Sequence, residues 1–304
     1  MKPLAFIVIT YNRPDDALEL LKNIAQFDSA AELLEEVILV NNASTADYSA
    51  VEAYIAATPE IPFRYFYSNE NLGVARGRNF AITKSCAPIL IMLDDDAVLQ
   101  NKDAFVSLLK EYEINNTATP KAIISFKVLY YDTLAMQKNA LPHKKFEQYK
   151  DRHFFETYYY AGGAHAIRRE ALDKVGSYPT DFFYGMEEYD LSYRLLEAGY
   201  SIVYSDAVVM LHKESPLGRK PKEEKMRMMW LNKSKVAWRY LPKKYFYSTA
   251  FMWSVEYLRK TGFNVPGFVS GWKEVLNIPK TEKRQAISAK TLAHLKRVDA
   301  RLWY

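Results

Sequence analysis

The chain has 304 residues, 49% of them hydrophobic, enough for one large α/β domain with an appendage or two modest domains. Cys86 is the only cysteine, which excludes an intramolecular disulfide and points to a reducing, cytoplasmic setting. The net charge of +5 hides a division: residues 1–212 carry 20 Lys and Arg against 29 Asp and Glu, and residues 213–304 carry 21 against 7. An acidic body with a basic tail suggests that the tail meets an anionic surface, unless its lysines only solvate helices.

The apolar run Leu4–Ile9 is too brief for a secretory signal, and the sequence has no uninterrupted run of about 20 apolar residues, the length that crosses a bilayer. Leu4–Thr10 reads instead as a buried strand, broken at Tyr11-Asn12-Arg13-Pro14, with Pro14 suited to a first helical turn. Ala17, Leu18, Leu21, Ile24 and Ala25 then have helical spacing. Val37–Val40 predicts a second strand ending in Asn41-Asn42-Ala43-Ser44. A helix over 47–57 and a strand over 63–67 follow. Gly73 leads into a helix over 74–84, with Arg76 and Arg78 one turn in. Free N–H groups at such a start would suit a diphosphate; an ordinary cap with surface arginines is the other reading.

Ile89–Leu93 is uniformly apolar and ends in Asp94-Asp95-Asp96. A strand buried on both faces fits the run. The three acids call either for a divalent ion with oxygen ligands or for a solvated turn. Strand and helix have by then alternated four times, the pattern of a parallel sheet with helices on both faces. Ligands bind beyond the carboxyl ends of such strands, so Thr10–Arg13, Asn41–Ser44 and Asp94–Asp96 share one rim.

A helix over 102–112 and a strand over 122–130 come next. Residues 131–157 read as an irregular binding loop or lid. Gly162 and Gly163 mark either a bulge or a close approach of backbone to ligand. A helix from near Gly185 to Glu197 begins with Glu187 and Glu188, which suit a general base or merely the helix dipole; Asp190 and Arg194 form an i, i+4 pair at or near the surface. A strand over 202–211 breaks at Ser205-Asp206 and ends at His212, a metal ligand or a structural histidine. Beyond Lys222 the pattern is helical and basic, with Met226, Met229, Trp230, Lys233, Val236, Ala237 and Tyr240 on one side. Tyr245–Val255, flanked by Lys243, Lys244, Arg259 and Lys260, suits a membrane interface or packing on the preceding domain. The expected division is 1–215 for the catalytic domain and 216–304 for a helical extension.

The ordered set Ile7–Arg13, Val40–Ser44, Asn71–Asn79, Leu93–Asp96, Gly162-Gly163, Arg168–Gly176, Glu187–Arg194, Gly199–Tyr204 and His212 resembles the family 2 glycosyltransferases of the GT-A fold, over roughly residues 3–212. The resemblance implies a Rossmann-like, mostly parallel α/β sheet. It also implies inverting transfer of a sugar from a nucleotide-diphosphate donor to a glycan or lipid-linked acceptor. Thr10, Tyr11 and Arg13 would line the nucleotide pocket, and Asn41 stands where the family usually has a base-reading aspartate. Asp94 would reach the ribose or base side, with Asp95 beside it. Asp96, with His212 as a further ligand, would hold Mg²⁺ or Mn²⁺. Arg78 would face the diphosphate, with Gly162 and Gly163 close to the donor. The family's Glu-Asp motif reads Glu187-Glu188 here, which makes Glu188 the expected base and Asp190 the alternative.

Two other classes fit parts of the pattern. An aspartate-nucleophile phosphatase would tolerate Val98, but no Lys-bearing motif accompanies it. A non-catalytic module binding nucleotide-sugar or an anionic surface would suit the basic tail. Specific nucleic-acid reading is disfavoured, because no stacked aromatics fall on strands.

Overall fold

The computed structural model describes residues 1–217 and 220–303. Its first part is β1 (Leu4–Thr10), α1 (Pro14–Ala25), α2 (Ala30–Leu33), β2 (Leu34–Asn41), α3 (Ser49–Ala57), β3 (Phe63–Tyr67), α4 (Gly73–Ile82) and β4 (Ile89–Asp94). Next come β5 (Ala97–Leu99), α5 (Ala104–Glu113), β6 (Lys121–Tyr130), α6 (Phe146–Tyr149), β7 (Phe154–Thr157), β8 (Ala164–Arg168), α7 (Arg169–Val175), α8 (Glu187–Glu197) and β9 (Ser201–His212). Helices α9 (Lys222–Tyr240), α10 (Lys243–Lys260), α11 (Val265–Thr281) and α12 (Ala289–Arg297) follow.

One sheet runs in the order β3-β2-β1-β4-β8-β6-β9-β5, with β7 also paired to β9. Strands β3, β2, β1 and β4 are parallel, while β8 runs antiparallel between β4 and β6. Five apolar residues of β4 are buried because β1 and β8 flank it and helices cover both faces. Register brings Thr10 beside Asn41 and Ile9 beside Asp94, so the ends of β1, β2 and β4 are level. Strand β9 pairs first with β7 and then, past an irregularity opposite Ser125–Lys127, with β5. That bend sets His212 beside Ala97, next to the acidic turn.

Residues 131–157 are more ordered than their polarity suggests. They contain α6 and the strand β7, whose residues Phe154–Thr157 are too few for periodicity to reveal. The tyrosine-rich run ahead of Gly162 is not strand, and β8 starts only at Ala164. Helix α8 starts at Glu187, two residues after Gly185, because Gly185 and Met186 both take positive φ.

The sheet's two faces carry separate cores. One gathers Leu20 and Ile24 of α1 with Phe105 and Leu108 of α5. The other runs from Ile7 and Ala81 through Leu191 and Leu195 to Trp230, Tyr257 and Val275, so the C-terminal helices extend that face's apolar layer. Trp230 is fully buried, donates from Nε1 to Ala250 O at 2.9 Å, and fills the space where a side chain on Gly271 would sit. Helix α10 divides its residues: Tyr245, Phe246, Ala250 and Tyr257 are buried, and Tyr247, Phe251, Met252 and Val255 face solvent. Both readings of this stretch therefore have a physical basis, one on each side of the helix.

Truncating the ring that joins α9, α10 and α11 tests this continuity. Trp230→Ala is expected to lower the unfolding free energy by about 3–5 kcal/mol, read from the urea midpoint. A loss below about 1 kcal/mol would mean that the helices do not depend on this ring.

Candidate active site

The level strand ends create a cavity of about 680 Å³ lined by Thr10, Tyr11, Arg13, Asn42, Arg78, Asp94, Asp95, Asp96, His212 and residues opening α9. Three carboxylates leave the end of β4 in succession and meet different partners. Asp95 pairs with Arg13 Nη1 at 2.8 Å. Burial pushes its carboxyl up to about 7, although Arg13 pulls the other way. Burial would also raise Asp96, but His212, Arg13 and the Ser215 N–H together hold it below the usual carboxylate range. Asp96 Oδ2 accepts from Ser215 N at 2.8 Å and lies 3.3 Å from Arg13 Nη1. Arg13 also donates to the Ser215 and Leu217 carbonyls, which ties the segment after β9 across the acidic turn.

Asp96 Oδ1 is buried with no hydrogen-bond partner among the described residues, and His212 Nε2 lies 3.3 Å from it. Ligand atoms of Asp94, Asp96 and His212 all lie within 4.8 Å of one another. An orphaned carboxylate oxygen amid two further ligand atoms fits a bound cation. Two carboxylates with one imidazole form a donor set that would suit a divalent ion such as Mn²⁺ or Mg²⁺.

Arg78 is buried inside a second ring of acids. Its Nη2 lies 3.5 Å from Asp94 Oδ1, and its Nη1 lies 3.5 Å from Glu187 and 3.6 Å from Glu188. Burial works against its charge, but Tyr178, Glu187, Asp94 and Glu188 outweigh that and hold the proton more firmly than usual. Glu187 is buried, and desolvation together with Glu188 raises it from 4.5 to about 8. Near neutrality Glu187 therefore keeps its proton beside Glu188.

Gly162 and Gly163 have a definite steric reason. A side chain at Gly162 would strike the Glu188 carboxylate, and one at Gly163 would strike that of Asp94. Both glycines line a second cavity of about 210 Å³ that adjoins Asp94, Gln137, Asn139 and His212. Bare backbone here lets two acidic side chains pass, a need that sequence alone cannot separate from a bulge.

Residues 5–176 match the sequence profile described as Glycosyl transferase family 2. The chain belongs to this family. An uncharacterized protein of Haemophilus influenzae is 30% identical over 178 residues, 58% of this chain and 92% of that protein. Among solved structures, the mannosyltransferase PcManGT from Pyrobaculum calidifontis in complex with GDP-Man and Mn²⁺ is similar with a TM-score of 0.59 and 20% identity, covering 100% of this chain and 81% of that one. The S. aureus TarS fragment 1–349 in complex with UDP-GlcNAc has a TM-score of 0.63 and 14% identity, covering 96% and 83%. These likenesses bear out the GT-A fold, and the family makes the chain a glycosyltransferase.

Several expected residues of this glycosyltransferase have other surroundings than the sequence suggests. Asn41 is buried, with its oxygen accepting from Ser44 N and its amide donating to Tyr65 OH; Asn42 is the asparagine that lines the cavity. Asp190 is turned away from Glu188, as two helical residues apart must be, and bonds to Arg194, Arg239 and Tyr240. In its pair with Arg194, Asp190 is buried and Arg194 half-buried. The start of α4 is not an open anion cradle: Leu72 N donates to Asn42, Gly73 N to Asn71 and Val74 N to the Phe183 carbonyl. Arg76 pairs with Glu70 at the exterior, and only Arg78 enters the cavity. No local motif announces Gln137, which is hydrogen-bonded to His212, or Glu214, which accepts from Gln137.

The Glu187 proton predicts a pH dependence. An acid raised from 4.5 to about 8 on folding binds more protons in the native than in the unfolded chain, so stability falls as pH rises between those values. Glu187→Gln is expected to shrink that fall, measured as the difference in Tm between about pH 5 and about pH 8. An unchanged difference would place the proton elsewhere.

Proposed function

We propose that this glycosyltransferase moves a sugar, with inversion at the anomeric carbon, from a UDP- or dTDP-sugar to a hydroxyl of a glycan or lipid-linked acceptor in cell-surface polysaccharide synthesis. One observation carries the reading: buried Arg78 lies 3.5 Å from Asp94 and 3.6 Å from Glu188. The carboxylate on the metal side and the carboxylate suited to be base therefore share one arginine, which lines the cavity. A cavity of about 680 Å³ has the size of a nucleotide-sugar site, and the nucleotide-sugar complexes of the similar solved structures support that donor class.

In this mechanism Thr10, Tyr11, Arg13 and Asn42 receive the nucleotide, with Asn41 bracing the wall behind them. The ribose side passes from Asp94 to Asp95, which faces Arg13. Asp94, Asp96 and His212 would hold Mg²⁺ or Mn²⁺, which when bound supplies positive charge to the diphosphate. Glu188 takes the acceptor hydroxyl's proton as that oxygen bonds to the anomeric carbon. The bond from this carbon to the phosphate oxygen breaks, and its electron pair leaves with the nucleoside diphosphate. Attack opposite the leaving group inverts the centre. Arg78 offsets charge on the departing diphosphate, and protonated Glu187 adds no second negative charge beside the base.

The membrane reading belongs to the same proposal. Tyr247, Phe251, Met252 and Val255 form an exposed stripe on α10, with Lys243 and Lys244 at one end and Arg259 and Lys260 at the other. Aromatic residues between cations suit an anionic headgroup surface, consistent with a cytoplasmic enzyme lying peripherally on the inner face of a membrane. None of the described helices is long and apolar enough to cross one.

A thermal-shift panel of UDP-, dTDP- and GDP-sugars with Mn²⁺ tests the donor assignment: at least one is expected to raise Tm, and Asp96→Ala to abolish the rise. Glu188→Gln should keep the shift while slowing transfer by about 10²–10⁴-fold. Transfer at the native rate in Glu188→Gln would remove that residue from the base role.

A further inference from the structure

We infer that Gln137 is a positioning residue that fixes the tautomer of His212 so that its Nε2 lone pair is available to a divalent cation. The inference rests on the metal reading of the Asp94, Asp96 and His212 cluster and goes beyond it to a residue outside the cluster. Gln137 is 5% exposed and lies in the segment that follows β6. The chain leaves β6 at Tyr130, turns through Leu134, which has positive φ, and comes back against the strand it left. Tyr130 N donates to the Ala135 carbonyl and Gln137 N to the Val128 carbonyl, so the backbone of Gln137 is pinned to β6. Since β6 pairs with β9 through Val128 and Met210 and through Tyr130 and His212, this return sets the Gln137 side chain beside the imidazole.

Its amide bridges two groups. Gln137 Nε2 donates to Glu214 Oε1 at 2.7 Å, and Gln137 Oε1 lies 3.0 Å from His212 Nδ1. An ionised carboxylate only accepts, so Glu214 draws the NH₂ end of the amide. The carbonyl end must then face His212 and can only accept. Nδ1 therefore carries a proton, and the neutral ring keeps its lone pair on Nε2. That nitrogen is 3.3 Å from Asp96 Oδ1, the buried oxygen without a hydrogen-bond partner among the described residues. Lone pairs facing at this distance repel unless a proton on Nε2 or a divalent cation stands between them, and a cation can take the place of that proton. Glu214 to Gln137 to His212 is thus a chain of hydrogen bonds that aims one ring nitrogen at the ion position, and an amide acceptor achieves this without adding charge beside it.

Mn²⁺ titration of the full chain, followed by the electron paramagnetic resonance signal of free Mn²⁺, tests the assignment without an acceptor or any turnover. Gln137→Met keeps the length and packing of the side chain but removes the amide, and is expected to weaken Mn²⁺ binding about 10- to 100-fold. The exchange Gln137→Glu with Glu214→Gln reverses the donor and acceptor between the two positions while leaving an acceptor for Nδ1. It should return the affinity to within a few-fold of the native chain, which loss of loop packing alone would not produce. Native affinity in Gln137→Met, or no recovery in a folded exchange variant, overturns the role of Gln137. A native chain that binds no Mn²⁺ overturns the metal reading itself.

Discussion

Carboxylate crowding against buried Arg78 and half-buried Arg13 is the constraint on which the cleft depends. Asp94, Asp95, Asp96, Glu187 and Glu188 converge on Arg13 and Arg78. Burial raises Asp95 and Glu187 above the usual carboxylate range, while His212, Arg13 and the Ser215 N–H hold Asp96 below it. The site thus carries fewer negative charges than a count of acids suggests, and the ionised Asp96 stands next to the metal-side imidazole. Like charges pressed together in a low-dielectric cleft favour protonation or recruit cations, and here Arg13 and Arg78 are the cations beside them.

The rest of the fold serves to bring these groups to one rim. Parallel register levels the ends of β1, β2 and β4, and the bend in β9 delivers His212 from a distant part of the chain. Helix α8 carries the opposing pair of glutamates and is held at several points. Asp190 bonds to Arg194 on its own helix and to Arg239 and Tyr240 on α9, and Arg194 in turn donates to the carbonyls of Val175, Gly176 and Ser177. The basic C-terminal helices are therefore part of the support for the proposed base, besides offering an apolar stripe to the outside. Removing the Asp190 carboxylate alone would leave Arg194, Arg239 and Tyr240 with one partner fewer at this joint.

Order in the segment after β6 has a similar logic. A polar stretch without periodicity would be mobile if nothing held it, but the return of the chain onto β6 fixes Gln137, and β7 adds a strand to β9. The second cavity, between this segment and the Gly162-Gly163 strip, owes its walls to that return.

Local pattern by itself determined the alternation of strand and helix, the burial of Ile89–Leu93, and the shared rim of Thr10–Arg13 and Asp94–Asp96. Each of these follows from hydrophobic period or from the spacing of a few polar residues, and such signals survive without knowledge of the fold. Only tertiary structure decided which acid meets which base, because that depends on contacts between positions about 80 to 120 residues apart, such as Arg13 with Asp95 and Asp96 with Ser215. It also decided that Asn42 rather than Asn41 faces the cavity, that the first N–H groups of α4 are already taken, and that Asp190 braces α9. In each case the deciding fact is a hydrogen-bond partner brought from elsewhere in the chain, and a buried polar group takes whatever partner the fold supplies.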